Sequence, residues 1–203
     1  MSNQFIIDLV LTNCIPYYPV NLSGNCSRTA LDHKLHLSCS HYLPSNADLL
    51  PTGEIRSVIN TDFDFLNKAN NGTRLNDVIH RIDGGGRPGL DHCFVVDGFS
   101  SDLWAVREVA TLTDEQSGRQ IQCSSSMPGI QIYTANWLAE QGEGKGEGEA
   151  EPNGLHPHVQ HNAVCLETQF YPDSPNQPLF PSTVLRPGES YKHKTIFSFT
   201  TIA

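Results

Sequence analysis

Apolar and polar residues alternate in short runs along this chain, and glycine or proline cuts each run within a few residues. Leu35, Leu37 and Cys39 interleave with His36, Ser38 and Ser40, and Ile130 and Ile132 with Gln131 and Tyr133. Val164, Leu166, Thr168 and Phe170 interleave with Cys165, Glu167 and Gln169. Successive side chains of an extended strand point to opposite faces, so each run reads as a strand with one apolar face. Sixteen Gly and thirteen Pro punctuate the runs, which favours strands and turns over helices. The expectation is an all-β chain, with one short helix at residues 75–81.

Residues 5–11 and 195–200 are predicted strands near the two ends. Residues 104–111 and 120–125 should form a hairpin around a turn at 114–118. Residues 43–54, with Pro51-Thr52-Gly53, read as loop and turn. Residues 82–90 carry Gly84-Gly85-Gly86 and Pro88-Gly89, a loop that delivers Asp91 and His92 to the start of a strand. Residues 140–154 are rich in Gly and Glu and have nothing apolar to bury, so a mobile loop is expected there. Strands on either side look alike, and residues 1–203 read as a single domain.

Charge narrows the partners. Twenty-two acidic residues against thirteen basic give a net charge of −9, and no basic cluster interrupts it. Nucleic acid and anionic membrane are therefore poor partners, while neutral polar ligands remain open. The first residues lack a basic segment and their apolar run is broken by Asp8, so they read as a strand and not a signal peptide. No apolar segment is long enough to cross a bilayer. Six cysteines (14, 26, 39, 93, 123 and 165) show no metal-type or disulfide-rich spacing, which points to reduced thiols in the cytoplasm. His156, His158 and His161 fit no compact metal motif, and neither metal nor cofactor is expected.

Glu167 is the residue that asks for a function. A carboxylate inside an otherwise apolar strand is costly unless something satisfies it. Pro172, Pro175, Pro178 and Pro181 follow, so the strand ends at a rim, and Gln169 shares the face of Glu167. Asp91, arriving from a Gly/Pro loop, reads equally as a ligand group or a turn cap. Gln131 reads as a cleft residue or a solvated strand residue. His92 reads as a packing residue, and Phe94, Trp104 and Trp137 as core.

Five segments then occur in a telling order: Leu50-Pro51-Thr52-Gly53-Glu54, Gly89-Leu90-Asp91-His92, Pro128-Gly129-Ile130-Gln131-Ile132-Tyr133-Thr134, Leu166-Glu167-Thr168-Gln169 and Leu185-Arg186-Pro187-Gly188-Glu189. The series resembles the aldose 1-epimerase (galactose mutarotase) family, over about residues 32–199. The resemblance implies a galactose mutarotase-like β-sandwich (a supersandwich) in N-terminally truncated form. It implies interconversion of the α and β anomers of aldohexoses such as galactose and glucose. By the same resemblance Glu167 is the general base, while Asp91 and Gln131 bind sugar hydroxyls. Removing the C1 hydroxyl proton while protonating the ring oxygen opens the hemiacetal, and the aldehyde recloses on its other face without metal or cofactor.

The match departs at two places. The family's upstream Asn-x-x-His-Gly-Gly segment and its substrate-binding arginine have no counterpart here. The family's general-acid histidine falls in a segment that reads Thr12-Asn13-Cys14-Ile15-Pro16-Tyr17 here, and a thiol of ordinary pKa is a poor acid for a ring oxygen. A non-catalytic carbohydrate-binding remnant is thus the rival expectation. Self-association through exposed sheet edges is expected as well.

Overall fold

Among the described residues of the computed structural model, regular structure consists of thirteen strands, most of them short, and four single 3-10 turns. The described residues are 10–11, 19–24, 28–66, 72–100, 105–138 and 159–202. In chain order the strands are β1 (Val10–Leu11), β2 (Pro19–Val20), β3 (Lys34–Leu37), β4 (His41–Tyr42), β5 (Arg56–Ser57), β6 (Thr73–Arg74) and β7 (Asp91–Val95). They continue with β8 (Arg107–Asp114), β9 (Arg119–Ser125), β10 (Gly129–Tyr133), β11 (Val164–Gln169), β12 (Val184–Leu185) and β13 (Thr195–Thr201). Where a short helix was expected, two 3-10 turns stand, Leu75–Asp77 and Ile79–Arg81. Leu75 and Ile79 are their buried residues, and the polar rest supplies no apolar face for a longer helix.

A six-stranded sheet runs β2-β11-β10-β7-β4-β5 and a five-stranded sheet runs β13-β9-β8-β3-β6, while β1 pairs only with β12. All strand pairings among the described residues are antiparallel. One core cluster draws on both large sheets: Leu35, Leu37, Leu112 and Ile121 from one, Phe94, Ile130, Ile132 and Leu166 from the other. These are the alternating apolar positions of the sequence, and burying each such side chain contributes about 1.5–3 kcal/mol. The chain is thus a β-sandwich in which the period-two runs supply the inner faces.

Local departures from strict alternation have local causes. Val109 and Ala110 are both fully buried because the pairing of β8 with β9 shifts register between Glu108 and Ala110. A bulge of this kind turns two consecutive residues inward. The hairpin forms, but β8 is as long as the expected 104–111 and lies three residues later, at Arg107–Asp114, with Gly118 (φ +69°) in the turn. β3 was expected to be half-buried, yet His36 is only 4% exposed, so both of its faces are covered.

Three expectations fall largely or wholly outside the described residues: the strand at 5–11 except Val10–Leu11, the loop at 140–154, and the segment around Cys14, Tyr17 and Tyr18. His156, His158 and Trp104 also lie outside them. Among the described residues, no helix is long and apolar enough to cross a membrane.

Candidate active site

Strands β7, β10 and β11 lie side by side, and their register decides which residues meet. Gln131 sits directly opposite Glu167 on one side and Cys93 on the other, and Tyr133 sits opposite Cys165 and Asp91. Directly opposite residues share a face. Asp91, Gln131 and Glu167 therefore stand together on the outer face of the six-stranded sheet, while His92, Phe94, Ile130, Ile132 and Leu166 point inward. All three residues singled out by the sequence are brought to one place.

The outer face is not simply solvated. Leu43, Cys93, Tyr171 and Phe180 form a second apolar cluster there, with the Tyr171 and Phe180 rings edge-to-face at 5.1 Å. Asp91, Gln131 and Glu167 are half-buried at its margin. Burial, and after it the charge of Asp91, lifts the Glu167 carboxyl from 4.5 to about 7. Burial also raises Asp91, against a hydrogen bond from Gln131 that favours its charged form. Two carboxylates near one another and short of water cannot both ionise cheaply. Glu167 ends with the proton affinity suited to a general base at neutral pH.

Specific bonds orient the group. Gln131 Nε2 donates to Asp91 Oδ1 at 2.7 Å, and Gln169 Nε2 donates to Gln131 Oε1 at 3.4 Å. Asp91 is positioned by the residues before it. Leu90 N–H donates to Thr134 Oγ1 at 2.9 Å, and Asn136 Nδ2 donates to the Leu90 carbonyl at 3.0 Å. Thr134 Oγ1 in turn donates to Asn136 Oδ1 at 2.7 Å. Gly89 makes this clasp possible, since a Cβ there would lie 1.9 Å from Asn136 Oδ1. Thr134 and Asn136 were not expected to matter. Their only trace in the sequence is a Thr-x-Asn directly after the β10 run, a pattern that commonly just bonds its own backbone.

His92 behaves as expected of a packing residue. It is 6% exposed, lies edge-on to Phe63 at 4.8 Å, and its Nδ1 accepts the Asp91 backbone N–H at 3.1 Å. Burial lowers its pKa to about 4, so it is neutral at pH 7 and carries its proton on Nε2. Trp137 corrects the reading of its ring as core. It is 54% exposed, with the Arg87 guanidinium 4.6 Å from its ring centre. The chain turns at Ala135 (φ +54°) directly after β10, which carries Trp137 out of the sandwich.

A cavity of about 840 Å³ is lined by Tyr42, Phe63, His92, Arg56, Arg81 and Asp83 among others, and by none of the three candidate residues. Its guanidiniums are already engaged, Arg56 with Glu54 and Arg81 with Asp62, each at 2.6 Å. The outer-face row carries the perturbed carboxyls and is the better candidate for chemistry. Among the described residues no three His, Cys, Asp or Glu side chains are grouped to hold a metal ion.

The chain matches the aldose 1-epimerase family over residues 16–198. It is 38% identical over 181 residues to galactose mutarotase from Mus musculus, covering 89% of this chain and 47% of that protein. Against galactose mutarotase from Homo sapiens the identity is 36% over 180 residues, with the same coverages of 89% and 47%. Against aldose 1-epimerase from Escherichia coli K12 it is 29% over 181 residues, covering 88% of this chain and 48% of that one. The chain thus spans about half the length of the curated relatives it matches. A solved aldose epimerase homologue from C. elegans superposes with a TM-score of 0.76 at 24% identity, covering 96% of this chain and 53% of that one. Galactose 1-epimerase from Lactobacillus acidophilus gives 0.62 at 19% identity, covering 96% and 50%. These superpositions show the galactose mutarotase-like fold.

Proposed function

This chain belongs to the aldose 1-epimerase family, and from that premise we propose that its outer-face row is the base half of a site that interconverts the anomers of an aldohexose such as galactose or glucose. Glu167 takes the C1 hydroxyl proton, and Asp91 and Gln131 bind neighbouring hydroxyls. The observation that carries the reading is the pairing of a carboxyl raised to about 7 with a hydrogen-bonded Asp91–Gln131 pair, all on one face. A base near the working pH both exists deprotonated and releases its proton readily on reclosure. Asp91 and Gln131 act by holding C1 within reach.

Polarimetry on freshly dissolved α-galactose tests the proposal. Acceleration over buffer that is lost in Glu167→Gln supports it, and no acceleration by the unaltered chain rejects catalysis by this chain. A second reading, carbohydrate binding without turnover, is favoured by Cys14 standing where the family's acid histidine is expected. Galactose-induced shifts of resonances near Glu167 and Gln131, with no polarimetric effect, would select it. The proposed setting is the cytoplasm: Cys39, Cys93 and Cys123 are buried thiols outside any disulfide, which suits a reducing compartment.

A further inference from the structure

Gln169 is the most deeply buried polar side chain of the outer-face row, at 3% exposure. A primary amide has two donor hydrogens and an acceptor oxygen, and burying it is unfavourable unless they are used. Gln169 lies at the end of β11 directly opposite Gly129, one step diagonal from Gln131. A Cβ on Gly129 would sit 3.0 Å from the Tyr171 ring and 3.1 Å from Cys93 Sγ, so that part of the face has room for one side chain and no more. Tyr171 and Cys93 crowd that spot, and the Gln169 amide beside them donates to Gln131 Oε1.

We propose that Gln169 is a positioning residue: its buried amide fixes which end of the Gln131 side chain faces Asp91. This rests on the reading that Asp91 and Gln131 hold sugar hydroxyls. A glutamine amide turned by 180° exchanges its carbonyl and its NH2 with little change of shape. In the observed arrangement Gln169 Nε2 donates to Gln131 Oε1, and Gln131 Nε2 donates to Asp91 Oδ1. Turning Gln131 sets its carbonyl against a carboxylate oxygen with no hydrogen between them, and its NH2 against the NH2 of Gln169. Two bonds become two repulsions. At 3.4 Å the first bond is a long one, so its part is direction and not strength. Held this way, Gln131 keeps one N–H and Asp91 keeps one oxygen for the ligand, a donor beside an acceptor, as adjacent hydroxyls of a sugar require.

The test follows the Asp91 carboxyl by NMR titration of the full chain labelled at aspartate and glutamate, so that Glu167, the other acid of the row, is tracked in the same spectra. Gln169→Met removes the donor at similar volume, and the Asp91 midpoint is expected to shift upward, in the same direction as in Gln131→Met. The double variant is expected to shift no further than Gln131→Met alone, because Gln169 acts through Gln131. An unmoved Asp91 midpoint in folded Gln169→Met, or shifts that add in the double variant, overturns the proposal. In the unaltered chain the Gln169 Nε2 protons are expected to respond as Asp91 titrates, and silence there overturns the proposal with no variant needed. None of these readouts involves sugar or turnover, so a failed polarimetry experiment and a failed titration point to different errors.

Discussion

Removing the charge of Asp91 probes the electrostatics of the row most directly. The Glu167 carboxyl stands at about 7 against an ordinary 4.5, with burial the larger cause and Asp91 the smaller. At pH 7 the parent should then be about half protonated at this position, against roughly one molecule in three hundred for an ordinary glutamate. In Asp91→Asn the burial remains and the like charge goes, so the midpoint should move down by less than half of the interval between 7 and 4.5. Carboxyl carbon shifts of glutamate-labelled protein between pH 3 and 9 report it. A parent midpoint near 4.5, or one in Asp91→Asn that does not move, refutes the account of burial plus like charge. The same shift has a stability sign. A carboxyl whose pKa is raised by folding contributes stability that is full below 4.5 and lost as pH rises through about 7. Glu167→Gln should therefore match the parent near pH 4 and exceed it at pH 8. The interval corresponds to about 3 kcal/mol at full burial, and solvent at this half-open site reduces that to about 1–2 kcal/mol. Denaturant midpoints at the two pH values measure the difference.

Other outcomes follow from single contacts. Gly89→Ala drives a Cβ into Asn136 Oδ1 and breaks the clasp on Leu90, and should destabilise the fold by about 2–4 kcal/mol in urea unfolding. Phe199 is 70% exposed on β13, an edge strand without charge or proline, so Phe199→Lys should weaken any concentration-dependent association seen in sedimentation velocity. Burial pushes the Cys93 and Cys123 thiols up to about 12, so both should resist a thiol reagent at pH 8 in the folded chain and react once it is unfolded.

The sandwich was legible because its inner faces are written in period two: Leu35 with Leu37, Ile130 with Ile132, Leu166 with Val164. The same periodicity placed Glu167 with Gln169 and Gln131 with Tyr133, each pair on one face of its own strand, while the meeting of Gln131, Glu167 and Asp91 depended on which strands pair, which alternation does not encode. That part came from the family resemblance. What stayed hidden was tertiary in origin. The Thr134–Asn136 clasp joins β10 to the loop before β7, residues some forty-five positions apart. Trp137 was misread because apolar bulk argues for burial, and nothing local announces that the backbone reverses at Ala135. His36 is buried although its run reads as a strand with a single apolar face.

The three candidate groups of this protein, Asp91, Gln131 and Glu167, project from the middle of a woven sheet, one from each of three neighbouring ribbons. Their mutual spacing is therefore dictated by main-chain ladders about 4.8 Å apart, and hardly at all by the connecting segments around them. Lengthening or recolouring those segments can reshape the surroundings of the row while the distances within it stay put. The vulnerability lies in alignment: a slip of β11 by a single position would turn the carboxylate inward and leave a leucine in its place.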